Sequence, residues 1–407
     1  MVAKSSRAGK ELAAQKLSTA VSEEISVPRL KTEIDDLDAV LGGGFLAGGI
    51  VLLAGQPGIG KSTLLTQITA TIGAKSEVLY VSGEESIQQI KLRAERLGAA
   101  SSDKLQLASS TSAEDIAASI RTGKYDLVVV DSVQTLSLAE ISSAPGSVSQ
   151  ITNASNVIIR AAKATDTAVI LVGHVTKEGS IAGPKVLEHL VDVVLNFEGD
   201  RYGGFRVVRA QKNRYGSTSE AAIFEMSDKG LKIVDNPSAS LLAERQNLDG
   251  SIVMATLEGA RPLLVEIQAL VNPTSFGYPK RTASGFDLNR LNLLVAVLEK
   301  RTKLKLSDKD IFINVVGGLK LSDPAADLAV AMAIASASAG KKLSDEAVVF
   351  GEVGLGGEVR SATGWHARVK EAKKLGFTYA IAPKTHGKDA FIHGVSDLRQ
   401  ALIEYLK

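Results

Sequence analysis

The 407-residue sequence contains no cysteine and only five histidines. A chain without cysteine can form neither a disulfide nor a metal site with thiolate ligands. The histidines are scattered, and no two of them have the spacing of a helical or finger-type metal site. We therefore expect no zinc in this protein.

The sequence also lacks long apolar runs and a strong excess of charge. No run reaches the roughly 18 residues that a membrane span needs. The first residues, MVAKSSRAGKELAAQKL, lack the apolar stretch of a signal peptide. We expect a cytoplasmic protein with no membrane partner. Because the formal net charge is only +2, any binding of nucleic acid must come from local loops.

The apolar pattern divides the chain into three regions. Residues 1–27 are polar and alanine-rich, and we expect a flexible arm. Residues 28–240 alternate helical stretches with short apolar runs, among them GIVLLAG, EVLYVSG, YDLVVVDS, AVILVGH and VVLNFEG. This alternation predicts an α/β domain with a largely parallel sheet, followed by the antiparallel strands FRVVRAQK, AAIFEMS and GLKIVD. Residues 250–407 predict a second domain of α+β type.

A phosphate-binding loop is the most specific motif in the chain. GQPGIGKST fits G-x-x-x-x-G-K-[ST], follows the run GIVLLAG and precedes a helical stretch. Backbone N–H groups and a helix N-terminus attract phosphate oxygens. We expect Lys61 to reach the β- and γ-phosphates and Ser62 to bind Mg²⁺. The expected nucleotide-binding residues are Gly55, Gln56, Pro57, Gly58, Ile59, Gly60, Lys61, Ser62 and Thr63.

Two further strand ends carry carboxylates suited to nucleotide hydrolysis. Asp131 ends the run YDLVVVDS, where a second Mg²⁺ ligand is needed. Glu84 and Glu85 follow the strand YVS, where a general base would stand. Solvation of the surface explains one of these two glutamates equally well, and we assign the base to Glu84 because the tight turn before it leaves it nearest the strand tip. These residues predict Mg²⁺-dependent hydrolysis of ATP or GTP.

The motifs together resemble a known family. GQPGIGKST, YVSGEES, VVVDSVQT, GHVTKEGSIAGPKVLEHLVD and KNRYG occur in the order and approximate spacing of the bacterial RadA (Sms) family of recombination and repair ATPases related to RecA. KNRYG is similar to that family's KNRFG, with Tyr215 in place of Phe. The resemblance runs from about Lys31 to the C-terminus. It implies a RecA-like P-loop ATPase core and a Lon-protease-like second domain.

The resemblance also implies an activity and partners. It implies a DNA-dependent ATPase of recombination and repair that uses ATP and Mg²⁺ and forms a homohexameric ring. Such a ring acts as a helicase that binds single-stranded and branched DNA and promotes branch migration, and a RecA-type recombinase is a further expected partner. In these rings ATP lies between subunits, so a cation from the neighbouring subunit completes the site.

The pentapeptide KNRYG gains a role from this resemblance. Lys212 and Arg214, two residues apart at a strand end, are suited to reach a neighbour's γ-phosphate or the DNA backbone. The sequence does not decide which cation contacts ATP and which contacts DNA. Composition alone would describe an ordinary solvated hairpin tip.

The segment that follows AVILVGH carries further candidates. His174, at the strand end, is the expected sensor of the γ-phosphate, and a satisfied polar strand cap is the alternative. Lys177 and Lys185, on either side of EGSIAG, are expected to line a central channel as contacts to DNA phosphates.

The sequence departs from the family in two respects. Most RadA proteins begin with a four-cysteine zinc module, which a chain without cysteine cannot form. The Lon pattern needs a serine nucleophile and a lysine base, but this chain has Ala325 and His366 at those positions. Ser322 and Lys320 lie off the motif, so we expect no peptidase activity. The second domain is then expected to pack subunits or to present a surface to DNA, with several lysines as loose candidates (Lys341, Lys342, Lys370, Lys373, Lys374, Lys384 and Lys388).

Three functions remain open from the sequence. The first is an ATP-driven DNA motor. The second is an ATP-gated scaffold that holds DNA or a partner protein without moving along DNA. The third is an ATP-dependent protease, which Ala325 and His366 oppose. Glu84 and the two cations of KNRYG favour the first, because they suit turnover of the nucleotide.

Overall fold

The structure is a computed structural model, and it describes residues 28–99, 102–174, 184–199, 205–275, 277–386 and 389–407. Lys177 and Lys388 lie outside the described residues. Within these ranges the chain forms two large units of helices and strands, and each unit is built on its own sheet. No helix in the described ranges combines the length and the apolar composition needed to cross a bilayer.

The first sheet contains nine of the described strands. They are β1 (Ile50–Gly55), β2 (Val78–Ser82), β3 (Leu105–Ser109), β4 (Leu127–Asp131), β5 (Ala168–His174), β6 (Val193–Gly199), β7 (Phe205–Asn213), β8 (Ala221–Ser227) and β9 (Gly230–Ile233). Their order is β3-β2-β4-β5-β1-β6-β7-β8-β9. The six strands β1 to β6 are all parallel to one another, and β7, β8 and β9 extend the sheet with antiparallel pairing.

Helices connect the parallel strands and cover the two faces of this sheet. They are α1 (Asp35–Leu41), α2 (Lys61–Gly73), α3 (Ile87–Arg96), α4 (Ala113–Gly123), α5 (Val148–Thr165) and α6 (Pro184–Leu187). Serines begin three of them: the side chains of Ser86, Ser112 and Ser147 accept N–H groups at the starts of α3, α4 and α5. Such caps satisfy backbone donors that the first turn of a helix leaves free.

The second sheet has seven strands in the order β12-β13-β11-β10-β14-β17-β18. These are β10 (Ser251–Glu258), β11 (Arg261–Pro273), β12 (Arg281–Ser284), β13 (Lys309–Val315), β14 (Ala347–Val349), β17 (Tyr379–Pro383) and β18 (Ile392–Val395), while β15 (Glu352–Val353) and β16 (Val359–Arg360) form a separate pair. The helices here are α7 (Pro237–Leu242), α8 (Leu288–Thr302), α9 (Ala326–Ala339), α10 (Trp365–Lys374) and α11 (Leu398–Tyr405). The apolar helix α9 is buried along most of its length.

Strand β7 joins the two halves of the molecule. Val208 and Ala210 face the core under the first sheet, whereas Phe205 and Val207 belong to the core of the second. This division follows from the alternation of side chains along a strand. The N–H of Phe205 also donates to the carbonyl oxygen of Gly317 at 3.2 Å. One face of the antiparallel strands of the first sheet therefore packs against the second half of the molecule.

The predicted α/β class and the largely parallel sheet are confirmed, but several short elements were not predicted, among them β3, β12 and α7. β3 has only half-buried or exposed residues, because it is an edge strand, and its sequence LQLAS has a weak apolar signal. β12 is four residues long at the edge of the second sheet. The stretch NPSASLLAERQ contains the short helix α7, which Asn236 caps by accepting the N–H of Ala239.

Candidate nucleotide and catalytic site

The phosphate loop connects β1 to α2 at the carboxyl edge of the first sheet. Gly60 begins the helix with φ = 114°, a left-handed conformation that favours glycine, and no side chain caps the first turn. The buried Lys61 donates from Nζ to the carbonyl oxygens of Gly55 at 2.8 Å and Gln56 at 3.0 Å. The ammonium group of Lys61 is thus bound by carbonyl oxygens of its own loop. The N–H groups at the start of α2, which attract phosphate, lie beside it.

Asp131 lies beside the phosphate loop although 68 residues separate it from Thr63 in the chain. The hydroxyl of Ser62 donates to Oδ2 of Asp131 at 2.8 Å, and the hydroxyl of Tyr80 donates to the same oxygen at 2.7 Å. Burial, together with the nearby carboxylate, raises the pKa of Tyr80 well above its usual value, so the phenol keeps its proton. A hydroxyl and a carboxylate are hard oxygen donors of the kind that Mg²⁺ prefers.

The two glutamates after β2 have different partners. Oε1 of Glu84 accepts hydrogen bonds from the hydroxyl of Ser132 at 2.5 Å and from Nε2 of His174 at 3.1 Å. Glu85 forms an ion pair with Arg93 of α3, which also donates to Thr66. The carboxylate of Glu85 is therefore held against the helices, whereas that of Glu84 lies among the catalytic candidates.

The surroundings of Glu84 favour its ionised form. Burial acts in the direction of a higher pKa, but the hydrogen bonds from Ser132 and His174 and the positive charge of Lys61 outweigh it, so the pKa of Glu84 is lowered from its usual 4.5. Its side chain is 43% exposed. Glu84 is therefore in the ionised form that a general base needs at neutral pH, although a lowered pKa also makes it a weaker base.

His174 ends β5, the strand that lies between β4 and β1. Its Nδ1 is 3.1 Å from the Nζ of Lys61, and its Nε2 faces Glu84. Its carbonyl oxygen accepts a hydrogen bond from the side chain of Gln134 at 3.4 Å. The imidazole therefore bridges the cation of the phosphate loop and the carboxylate after β2, so it contacts two groups that the sequence assigned to catalysis.

Two residues at this site were not identified from the sequence. Tyr80 lies in an apolar run, where an aromatic residue predicts only core packing. Arg206 stands in an alternating strand pattern, but it is buried, and its Nε donates to the carbonyl oxygen of Ile59 at 2.9 Å. A charged residue on the core face of β7 was the available signal, because a buried guanidinium needs partners. Arg206 therefore supports the phosphate loop from behind.

KNRYG lies near the amino ends of the parallel strands, whereas the phosphate loop of the same chain lies at their carboxyl ends. Lys212 pairs with Val194, which pairs with Leu52 of β1. The N–H of Arg214 donates to the carbonyl oxygen of Asp192, at the level where β1 begins. β1 continues for five more residues before it reaches Gly55, a distance of about 16 Å along a strand. The structure does not bring these cations to the nucleotide site of their own chain.

The pentapeptide is also anchored more firmly than a free hairpin tip. Lys212 donates from Nζ to the carbonyl oxygens of Glu188 and Val191, each at 2.7 Å. Arg214 donates to Asp192 at 3.1 Å, and its side chain is 58% exposed. The hydroxyl of Tyr215 also bonds to Asp192, and this contact with burial raises the pKa of the phenol. The tyrosine that replaces the family's phenylalanine thus contributes a hydrogen bond.

The end of α1 fixes the backbone of this segment. A Cβ on Gly42, which has φ = 82°, would lie 2.8 Å from the carbonyl oxygen of Tyr215. Asn213 donates from its amide nitrogen to the carbonyl oxygen of Val40 at 3.0 Å. Close backbone contact therefore requires glycine at position 42, and it holds KNRYG in one orientation.

The lysine candidates for DNA contact belong to both halves of the chain. Lys185 belongs to α6. Of the lysines named in the second half, those in the described residues are exposed, and Lys373 forms an ion pair with Asp389 at 3.0 Å. Exposure permits contact with DNA phosphates, but it also describes any solvated surface.

The positions of the Lon dyad hold neither a nucleophile nor its lysine base, and a buried ion pair lies next to them. Ala325 is buried at the start of α9, and His366 is exposed and stacks on Trp365 with ring centroids 3.5 Å apart. Arg368, 1% exposed, donates to Asp323 at 2.7 Å and to the carbonyl oxygen of Ala255 at 2.6 Å. These contacts stabilise the interior around Ala325 and give it no reactive group.

Two sequence families match parts of the chain. A family described as an AAA domain matches residues 17–180, which include the phosphate loop, Glu84, Asp131 and His174. A family described as subunit ChlI of Mg-chelatase matches residues 292–386 in the second half.

Several curated proteins are similar over nearly the whole chain. DNA repair protein RadA of Bacillus subtilis is 49% identical over 397 residues, which cover 95% of this chain and 86% of the relative. RadA of Streptococcus pneumoniae is 46% identical, with 98% and 96% covered, and RadA of Brucella abortus is 47% identical, with 94% and 83% covered. A crystal structure of the RadB recombinase covers 51% of this chain and 100% of its own at 23% identity and a TM-score of 0.40, a likeness too weak to support a conclusion.

Proposed function

The chain belongs to the RadA family of DNA repair proteins, and on this premise we propose that it is a DNA-dependent, Mg²⁺-dependent ATPase of DNA repair and recombination. We propose further that it acts as a ring-forming motor on single-stranded DNA and promotes branch migration of recombination intermediates. One observation carries the proposal: Lys61, Glu84, Asp131 and His174 come from four separate segments and meet at one edge of the sheet.

ATP binding requires the phosphate loop to present its donors to the triphosphate. The N–H groups at the start of α2 bind the phosphate oxygens, and the ammonium group of Lys61 turns from His174 towards the γ-phosphate. Ser62 and Asp131 would hold Mg²⁺, which would supply positive charge beside the phosphates. Tyr80 keeps the Asp131 carboxylate in place through its hydrogen bond.

Hydrolysis then needs an oriented water molecule and a group that takes its proton. Glu84 is ionised, partly exposed and held next to His174, which suits it to the role of general base. His174 contacts both Lys61 and Glu84, so it can respond when the γ-phosphate arrives or leaves. Glu85 is not suited to this role, because Arg93 already occupies its carboxylate.

A neighbouring subunit of a homohexameric ring supplies the remaining cation in this proposal. KNRYG lies near the amino ends of the parallel strands, where it can face the next subunit's phosphate loop. Arg214 is the better candidate for ATP contact, because its side chain is 58% exposed and its guanidinium can make further bonds. The ammonium group of Lys212 is engaged by two carbonyl oxygens. Its first role is therefore to fix the segment.

The division into an ATPase domain (28–240) and a second domain (250–407), after an N-terminal arm (1–27), is part of the proposal. The two separate sheets support it, although β7 contributes to both cores. Lys177, Lys185 and the cation of KNRYG that does not complete a neighbour's nucleotide site are the proposed contacts to DNA phosphates. A RecA-type recombinase is the proposed protein partner.

We propose no peptidase activity for the second domain. Ala325 has no nucleophilic atom, and Ser322 and Lys320 are exposed residues outside the dyad positions. Incubation with casein and ATP is expected to yield no cleavage, and cleavage that disappears in a Ser322→Ala variant would reverse this conclusion.

The test of the whole proposal is an ATPase titration with single-stranded DNA, together with a branched-DNA unwinding assay on the full chain. DNA is expected to stimulate hydrolysis, and Glu84→Gln is expected to bind ATP without turnover, because an amide can order water but cannot take its proton. ATP hydrolysis without movement of any branched substrate would instead support an ATP-gated scaffold.

A further inference from the structure

The carboxylate of Glu84 is held on one side only. The hydroxyl of Ser132 and Nε2 of His174 both bond to Oε1. Within the described part of the chain, Oε2 forms no hydrogen bond. One carboxylate oxygen is thus fixed by protein groups while the other remains available to water.

The hydroxyl of Ser132 has a fixed position because the surrounding backbone is fixed. Ser132 follows β4 directly and is 1% exposed. Its carbonyl oxygen accepts hydrogen bonds from the hydroxyl of Thr135 at 2.9 Å and from the N–H of Thr135 at 3.3 Å. The next residue, Val133, donates from its N–H to the carbonyl oxygen of Val172 in β5. This turn is therefore tied to the sheet, and the serine side chain moves little.

The backbone of Glu84 is fixed in a similar way. Ser82, the last residue of β2, accepts the N–H groups of Glu84 at 3.2 Å and Glu85 at 2.9 Å through its hydroxyl. The terminal torsion of a glutamate side chain, in contrast, has a broad energy profile. Without an external partner, the carboxylate would rotate, and its free oxygen would not keep one direction.

Two titratable groups from other elements act on Glu84. His174 approaches from β5 and Lys61 from α2, while the neighbouring Glu85 is paired with Arg93 of α3. Both His174 and Lys61 have other tasks in the proposed function when nucleotide is bound. Ser132 is the uncharged donor to Glu84, so it can hold the carboxylate whether or not nucleotide is present.

We propose that Ser132 is a positioning residue for ATP hydrolysis, because its hydroxyl fixes Oε1 of Glu84 and thereby directs Oε2 towards the attacking water. The inference rests on the proposed role of Glu84 as the general base. It adds a residue that acts through Glu84 and does not touch the nucleotide. A loss of orientation in a catalytic group is expected to slow the chemical step without weakening binding.

The experiment compares Ser132→Ala with Ser155→Ala in the full chain. Ser155 is also a buried serine of the first half, and its hydroxyl has no hydrogen-bond partner among the residues that the structure describes, so its replacement should leave turnover unchanged. We expect Ser132→Ala to lower kcat roughly 10- to 100-fold while the Kd for ATP changes less than about twofold. Ser132→Cys, which keeps the side-chain shape but donates weakly, should lie between the two and serves if the alanine variant does not fold.

A double variant separates positioning from a purely structural role. If Ser132 acts through Glu84, adding Ser132→Ala to Glu84→Gln should cause no further loss of single-turnover rate, because residues that act as a unit are not additive. An equal further loss from the residual single-turnover rate of Glu84→Gln, or a parental rate in Ser132→Ala, would refute the inference while Glu84→Gln by itself remains strongly impaired. If Glu84→Gln itself hydrolyses ATP at the parental rate, the proposed function of Glu84 fails instead.

Discussion

Nζ of Lys61 lies 3.1 Å from Nδ1 of His174. Because an ammonium group can only donate, Nδ1 must accept, and the imidazole proton is therefore on Nε2, which donates it to Glu84. In the proposed function, the γ-phosphate of ATP needs the same ammonium group. We therefore expect nucleotide binding to replace the contact between Lys61 and His174, and this exchange would connect phosphate binding to the group that holds Glu84.

His174→Ala should separate binding from turnover. The variant frees Lys61 from a competing acceptor, so we expect ATP to bind at least as tightly as in the parent. Turnover should fall, because Glu84 loses one of its two partners. Nucleotide titration by fluorescence and steady-state ATPase assays would measure both. His393→Ala, which removes an exposed ring of the second half, is the matched control, and weaker ATP binding in His174→Ala would contradict the exchange.

Lys61→Ala should remove the charge that stabilises the transferred phosphoryl group. We expect a loss of ATPase turnover of about two to three orders of magnitude, typical of contacts to charge that develops in the transition state. Lys75→Ala removes an exposed lysine that pairs with Glu33 and should have no such effect. Parental turnover in a folded Lys61→Ala protein would show that the phosphate-site assignment is wrong.

The pH dependence of turnover should reflect the lowered pKa of Glu84. A carboxylate with a depressed pKa is ionised above its usual value of 4.5 and loses activity only as the pH falls through the lower value. Ser132→Ala removes one of the hydrogen bonds that depress it, so the acidic limb of the kcat profile should move to higher pH. An acidic limb at the same pH in parent and variant would argue that another group controls it.

Arg214→Ala tests whether KNRYG acts between subunits. We expect ATP binding to persist and DNA-stimulated hydrolysis to fall by roughly three orders of magnitude, as for other cations that complete a site in trans. Mixing this variant with Lys61→Ala should restore part of the activity, because some interfaces then combine an intact loop with an intact arginine.

Two results would contradict this assignment of Arg214. No recovery on mixing would indicate an action within one subunit. Normal hydrolysis with weaker DNA binding and a shallower salt dependence would instead make Arg214 a contact to the DNA backbone.

Arg368→Met should destabilise the second half. The substitution leaves Asp323 without its buried partner, and breaking such a pair costs about 3–5 kcal/mol of the free energy of unfolding. The single tryptophan, Trp365, lies three residues away and reports unfolding in urea by fluorescence. Arg360→Ala breaks an exposed pair with Glu358 and should cost less than about 1 kcal/mol. Similar losses in the two variants would contradict the structural role of Arg368.

The sequence alone determined the local elements and the chemistry they carry. The phosphate loop between an apolar run and a helix was readable because the motif is local and contiguous. Short edge strands such as β3 were missed, because exposed residues leave a weak apolar pattern. The roles of the site residues stay predictions.

Only the tertiary structure decided which of these residues meet. Glu84 and Glu85 are neighbours in sequence, but partners 90 and 8 residues away, His174 and Arg93, direct them to different surroundings. Likewise, the antiparallel pairing of β7 with β6 puts KNRYG near the end of the sheet that lies opposite the phosphate loop. The physical reason is that strand order and register arise from pairing between distant segments, and a local pattern of residues does not encode it.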